Sequence, residues 1–162
     1  MGEQKDLFGV DIPKPKINVL AIDQASNCGW CTKNAYGVWD FNTRKDESSG
    51  MKMLRFRAKL TEVCQIESIN LIVYERVAGQ HANSIIHAAK MVAMIETFCE
   101  ENNINYKAVS AGEVKRFATG KGNANKQAMI DSAREKHGYT GSDDNEADAI
   151  WIYHHTINDL NL

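Results

Sequence analysis

Two short apolar runs each end in a carboxylate: Ile17-Asn18-Val19-Leu20-Ala21-Ile22-Asp23 and Ile69-Asn70-Leu71-Ile72-Val73-Tyr74-Glu75. Runs this short and this rich in β-branched residues read as buried central strands. Burying an acid at the end of such a strand is costly unless a cation or a metal pairs with it. Open α/β sheets place their ligands beyond the carboxyl ends of the strands. The two acids therefore constrain the fold and the position of any site on it together. If the two strands are neighbours, their carboxylates repel, and a divalent cation between them removes the repulsion. Taken singly, either acid is satisfied as well by water or by a backbone N–H.

The rest of the pattern supplies the layers. Asn27 to Lys33 and Tyr36 to Phe41 alternate as a hairpin turning near Asn34-Ala35. Ser48 or Ser49 caps a helix reaching about Glu67, with Met53, Phe56, Leu60, Val63 and Cys64 on one face. Asn83 to about Glu101 is a long helix whose expected inner face is Ile86, Ala89, Val92, Ala93, Ile95 and Phe98. Tyr106 to Val109 is a fifth strand, and Ser110 with Glu113 has capping-box spacing. Asn125–His137 and Asn145–Leu160 are two further helices. Three adjacent strands followed by alternating helix and strand predict an α/β fold. Its mixed five-stranded sheet would have three antiparallel strands plus parallel ones, flanked by helices. The 162 residues suit one domain beginning at Ile17. Residues 1–16, with Pro13 and Pro15, read as a tail or docking arm.

Composition narrows the function classes. With 43% apolar and 25% charged residues, the chain is neither disordered, collagen-like nor a coiled coil. No run approaches 18 apolar residues, and Met1 to Val10 has no apolar signal core. Asp6 stands where a myristoylation motif needs Ser or Thr. The expectation is a soluble cytoplasmic protein with no membrane partner. The net charge of −2 conceals a split. Lys107 to Lys136 holds seven Lys/Arg against three acids, whereas His137 to Leu162 holds five acids and no Lys or Arg. A basic segment feeding an acidic one suits a site where phosphates meet metal ions, and suits two solvated helix faces equally. Cys28-Gly29-Trp30-Cys31 has redox or half-zinc spacing, but lies in a predicted strand with no second ligand pair. Cys28, Cys31, Cys64 and Cys99 are expected to be structural thiols.

A third acid stands out in Ser142-Asp143-Asp144-Asn145-Glu146-Ala147-Asp148-Ala149-Ile150-Trp151-Ile152. Ala149, Ile152, Tyr153 and Thr156 would pack this helix on the sheet, leaving Asp148 at the border of the buried face. Asp144 and Asn145 share its side of the helix. Asp143 and Glu146 have N-cap and N3 spacing and belong to capping.

These segments together resemble RuvC-type Holliday-junction resolvases. Leu20-Ala21-Ile22-Asp23-Gln24-Ala25-Ser26-Asn27-Cys28-Gly29-Trp30 is similar to the family's first motif. Ile72-Val73-Tyr74-Glu75-Arg76 is similar to the second, and Asn145-Glu146-Ala147-Asp148-Ala149 to the last. Val114-Lys115-Arg116-Phe117 and Gly120-Lys121-Gly122-Asn123-Ala124-Asn125-Lys126 resemble its basic motif. Any one is weak; four in order, from Ile17 to about His155, are strong.

The resemblance implies an RNase H-like fold and a structure-selective endodeoxyribonuclease that resolves four-way junctions by paired nicks. Asp23, Glu75 and Asp148 would bind two Mg²⁺ ions, with Mn²⁺ able to substitute. The fourth ligand position falls on Asn145, with Asp144 as the charged alternative. Lys115, Arg116, Lys121 and Lys126 would contact DNA, Lys126 close to the chemistry. A junction's two-fold symmetry implies a homodimer, for which the helix from Asn83, with His87, Met91 and Met94, offers a face. The divergence points to a phage or mobile-element branch acting in a bacterial cell. Ala78 stands where family members carry an aromatic, so junction distortion is not implied. Gly120-Lys121-Gly122 lacks P-loop spacing and reads as a loop approaching a DNA phosphate, or as a plain turn. The alternatives are another RNase H-like nuclease, cutting flaps or RNA/DNA hybrids, and a non-catalytic junction-binding module.

Overall fold

The structure, a computed structural model, describes residues 5–162; the first four residues of the expected arm lie outside it. Its strands are β1 (Val19–Asp23), β2 (Asn27–Cys31), β3 (Tyr36–Asp40), β4 (Leu71–Glu75) and β5 (Asn105–Val109). They form one sheet in the order β3-β2-β1-β4-β5. β3, β2 and β1 run antiparallel, while β4 and β5 are parallel to β1. The helices are α1 (Ser49–Ile66), α2 (Ala82–Asn102), α3 (Ala111–Thr119), α4 (Lys126–His137) and α5 (Asp144–Asp159).

Strand periodicity sorts the core into two layers. Val19 and Ala21 of β1 join Val73 and Val109 under α3, α4 and α5. Leu20 and Ile22 join Ile72 and Tyr74 under α1 and α2. By the same parity Asp23 and Glu75 fall on the α5 face. Both apolar runs are shorter as strands than expected, because asparagine side chains replace the ladder at their starts. Asn18 N–H donates to Asn70 Oδ1 at 2.8 Å, and Asn70 Nδ2 donates to the Lys16 carbonyl at 2.8 Å.

The helix starts follow their capping residues. Ser48, Ser110, Asn125 and Asp143 each accept a backbone N–H at an N-cap. One expectation is corrected on α2. Of the expected face, Ile95 and Phe98 are buried and Val92 packs against the core, but Ile86 is 53% exposed and Ala89 and Ala93 face solvent, while Met91 and Cys99 are buried instead. The helix carries two apolar stripes, and the packed one is set by where β4 and β5 lie. Met91 is therefore core, and not free for a partner.

The four cysteines are free and buried. Cys28 packs in the α1/α2 layer and Cys31 in the opposite one, since residues three apart in a strand point to opposite faces. Burial pushes the Cys31, Cys64 and Cys99 thiols up to about 12. Among the described residues, no helix is long and apolar enough to cross a membrane.

Candidate active site

Parallel pairing of β1 with β4 matches Ile22 to Tyr74, so the next residues, Asp23 and Glu75, end adjacent strands side by side. Gln24 links these ends. Its Nε2 donates to the Glu75 carbonyl and its Oε1 accepts the Glu75 N–H at 3.1 Å. The side-chain amide thus imitates one more rung of the sheet ladder, and Gln24 is buried. On the other side of β1, Asp23 pairs with Gly29 of β2. A Cβ on Gly29 would overlap the backbone carbonyl of Asn145, so the missing side chain is what admits the start of α5. Asp148, one turn into α5, is thereby brought to the two strand-end acids.

The electrostatics show that the three acids share one site. Burial, then Asp148, Glu75 and Asp144, hold the Asp23 carboxyl well above its usual range. Burial, then Glu75 and Asp144, push Asp148 up to about 7, against the opposing pull of Lys115 and Lys126. Burial raises Glu75, and Lys115 partly offsets it. Each acid is only half-buried by its own surface, so each still faces the opening. Beside them lies a cavity of about 400 Å³ lined by Asp23, Gln24, Ser26, Glu75, Asn83 and His87 among others.

Among the described residues, no three His, Cys, Asp or Glu side chains already stand in ion-binding geometry. The donor chemistry nevertheless fits Mg²⁺ or Mn²⁺: three carboxylates from three elements, mutually repelling, with no cysteine or histidine among them. A divalent cation there would supply the charge that this cluster lacks.

The basic residues divide. Lys126, the first residue of α4, is 81% exposed and pairs with Asp144 at 2.9 Å. Its charge also bears on Asp148 and Asp23. Lys115 lies half-buried on α3, close enough to lower both Glu75 and Asp148. Arg116 is exposed, with its guanidinium beside Gly122, and Lys121 is exposed in the loop between α3 and α4. Asp144 thus borders the acids but is engaged by Lys126, while no hydrogen bond ties the Asn145 side chain to another described residue.

Three participants carry no clear mark in the sequence. Gln24 reads as an ordinary turn residue. Lys52 of α1 is buried, donates to Ser26 Oγ at 3.2 Å, and has its pKa lowered chiefly by that burial. His87 has a buried Nε2 without a hydrogen-bond partner at the cavity wall. Only the unusual position of a Lys in the inner stripe of an amphipathic helix could have flagged one of them.

Comparison with solved structures fits this arrangement. The structure of Thermus thermophilus RuvC aligns with a TM-score of 0.71 at 18% identity, covering 90% of this chain and 97% of that one. T. thermophilus RuvC in complex with a Holliday junction substrate aligns at 0.70 and 16% identity, over 86% and 92% of the two chains. The fold is that of RuvC. The yeast mitochondrial Holliday junction resolvase shares it more distantly, at a TM-score of 0.55 and 13% identity over 85% and 76%. The expectation of an RNase H-like sheet is met, with the RuvC fold spanning nearly the whole chain. No protein-family model matches the sequence, and no curated protein matches it.

Proposed function

We propose that this chain is a divalent-metal-dependent endonuclease that resolves four-way DNA junctions by paired nicks. One observation carries the reading. Three acids from distant parts of the chain meet at the carboxyl end of a RuvC-fold sheet, all held above their ordinary pKa by burial, and Asp23 and Asp148 by neighbouring acids as well. Asp23, Glu75 and Asp148 would hold Mg²⁺, with Asn145 or Asp144 completing the set. When bound there, the metal supplies Lewis-acid stabilisation of phosphate charge and a more acidic bound water. The chain's own residues do the rest. Gln24 fixes the spacing of Asp23 and Glu75. Lys115 offsets part of the negative charge, and Lys126 can exchange Asp144 for a phosphate near the cut. Arg116 and Lys121 extend the positive margin along the DNA.

A homodimer suits the symmetry of the substrate, and the exposed stripe of Ile86, Ala89 and Ala93 on α2 is the face we assign to it.

The test is a labelled four-way junction, a flap, an RNA/DNA hybrid and a plain duplex, each with Mg²⁺ or EDTA. Junction cleavage in Mg²⁺ alone, at symmetric positions, is expected. Asp23→Asn should abolish cutting while junction affinity stays within about twofold, because it removes a carboxylate and not a phosphate contact. Preference for flaps or hybrids would reassign the substrate. Equal cleavage in EDTA would remove the metal from the mechanism.

A further inference from the structure

Residues 5–11, ahead of the sheet, form a small self-contained turn. Asp6 N–H donates to the Val10 carbonyl at 2.9 Å, and Gly9 N–H to the Asp6 carbonyl at 3.1 Å. The Asp6 carboxylate also accepts the N–H groups of Phe8 at 2.8 Å and Val10 at 2.9 Å. Lys5 bridges Asp11 across the base, with an ion pair at 3.6 Å. Gly9 closes the turn at φ 77°, a conformation that favours glycine. The result is presentation of apolar surface to water: Leu7 is 100% exposed and Phe8 90% exposed, side by side at the tip. Soluble domains do not gather large apolar residues on a stiff projection without a use for them. Holding the turn in advance lowers the ordering cost of binding.

We propose that this turn is a docking peptide for a protein that encircles or tracks DNA, whose apolar surface cleft takes Leu7 and Phe8 together. Two observations favour that occupant. Asp6 and Asp11 flank the apolar tip, which disfavours an anionic membrane and suits a cleft with a polar rim. The chain's net charge of −2 gives it little long-range attraction to DNA, so a tether to something already on DNA is what raises its local concentration. Ile12 to Ile17, with Pro13 and Pro15, is then a semi-rigid spacer of roughly 19 Å at about 3.1 Å per residue. The choice of a DNA-bound partner rests on the nuclease reading above; the exposed apolar tip does not.

The probe is a purified bacterial replicative sliding clamp, titrated with the full chain and with the double variant Leu7→Ala/Phe8→Ala. Wild type should bind, and the double variant should lose at least tenfold in affinity. Cleavage of free junctions by the double variant should be unchanged. Asp6→Ala, which frees the turn but keeps both anchors, should weaken binding severalfold. Failure of wild type to bind the clamp, or equal binding by the double variant, overturns the proposal. So does Leu7- and Phe8-dependent binding to vesicles of anionic lipid, or a change of oligomeric state in the double variant. Clamp binding by a chain that cuts no junction would uphold the docking and overturn the nuclease reading.

Discussion

At the scale of single residues, the site depends on side chains that do no chemistry themselves. Gln24 is the clearest, since its amide makes two hydrogen bonds to the backbone of Glu75 and thereby sets the distance between two repelling acids. Gln24→Met keeps the length and apolar stem but removes both bonds. The loss should be roughly 1–2 kcal/mol of stability. The Mg²⁺ concentration for half-maximal cleavage should rise severalfold, while junction binding in EDTA is unchanged. An unaltered Mg²⁺ dependence would reduce Gln24 to a structural link. Nothing local in the sequence announces this residue, because its partner, Glu75, ends β4 far along the chain. The strand-end acids were legible for the opposite reason: an apolar run that stops at a carboxylate is a local pattern with few physical explanations.

At the scale of elements, the placement of α5 decides whether three acids make a site. Gly29 leaves the gap through which its first turn reaches β2. Gly29→Ala should destabilise the fold by roughly 1–3 kcal/mol, the usual scale of overpacking, and should depress cleavage far more than junction binding. Urea unfolding and single-turnover cleavage measure the two. Further along α5, His154 stacks on His137 of α4 with ring centroids 3.6 Å apart. Burial, then His137, lower the His154 pKa to about 4, and burial, then Lys136, lower that of His137. The unfolded chain binds more protons between about pH 4 and the ordinary histidine value near 6.5. Stability contributed by the neutral pair is therefore complete above pH 6.5 and is lost as pH falls towards 4. Thermal melts should show Tm rising across that interval, and His154→Phe, which keeps the stack without the titration, should flatten the rise.

At the scale of the whole molecule, the proposed function requires a slightly acidic protein to bind a polyanion through local charge. The basic segment and the acidic one, consecutive in sequence, meet in space at Lys126 and Asp144. A lysine that contacts phosphate should, when changed to Ala, reduce the slope of log affinity against log salt by about 0.9. Lys126→Ala should show that change together with slower cutting, because its ammonium also faces Asp148 and Asp23. Lys115→Ala, half-buried against Glu75 and Asp148, should act mainly on the cleavage rate. Binding isotherms at several salt concentrations, alongside single-turnover rates, separate the two. Wild-type behaviour of both variants would return these lysines to the solvated surface.

The sequence by itself determined the strands, the caps and the two strand-end acids, because each is written in residues close together: a period of two, a Ser or Asn before a helix, a carboxylate closing an apolar run. Only the tertiary structure decided which stripe of α2 packs, since Ile86-Ala89-Ala93 and Met91-Ile95-Phe98 have equally helical spacing. The docking side of β4 and β5 chose between them. Tertiary packing likewise turned Gln24 into a rung of the sheet and Gly29 into the seat of α5. Those roles depend on what arrives from elsewhere in the chain, and no local pattern records the arrival.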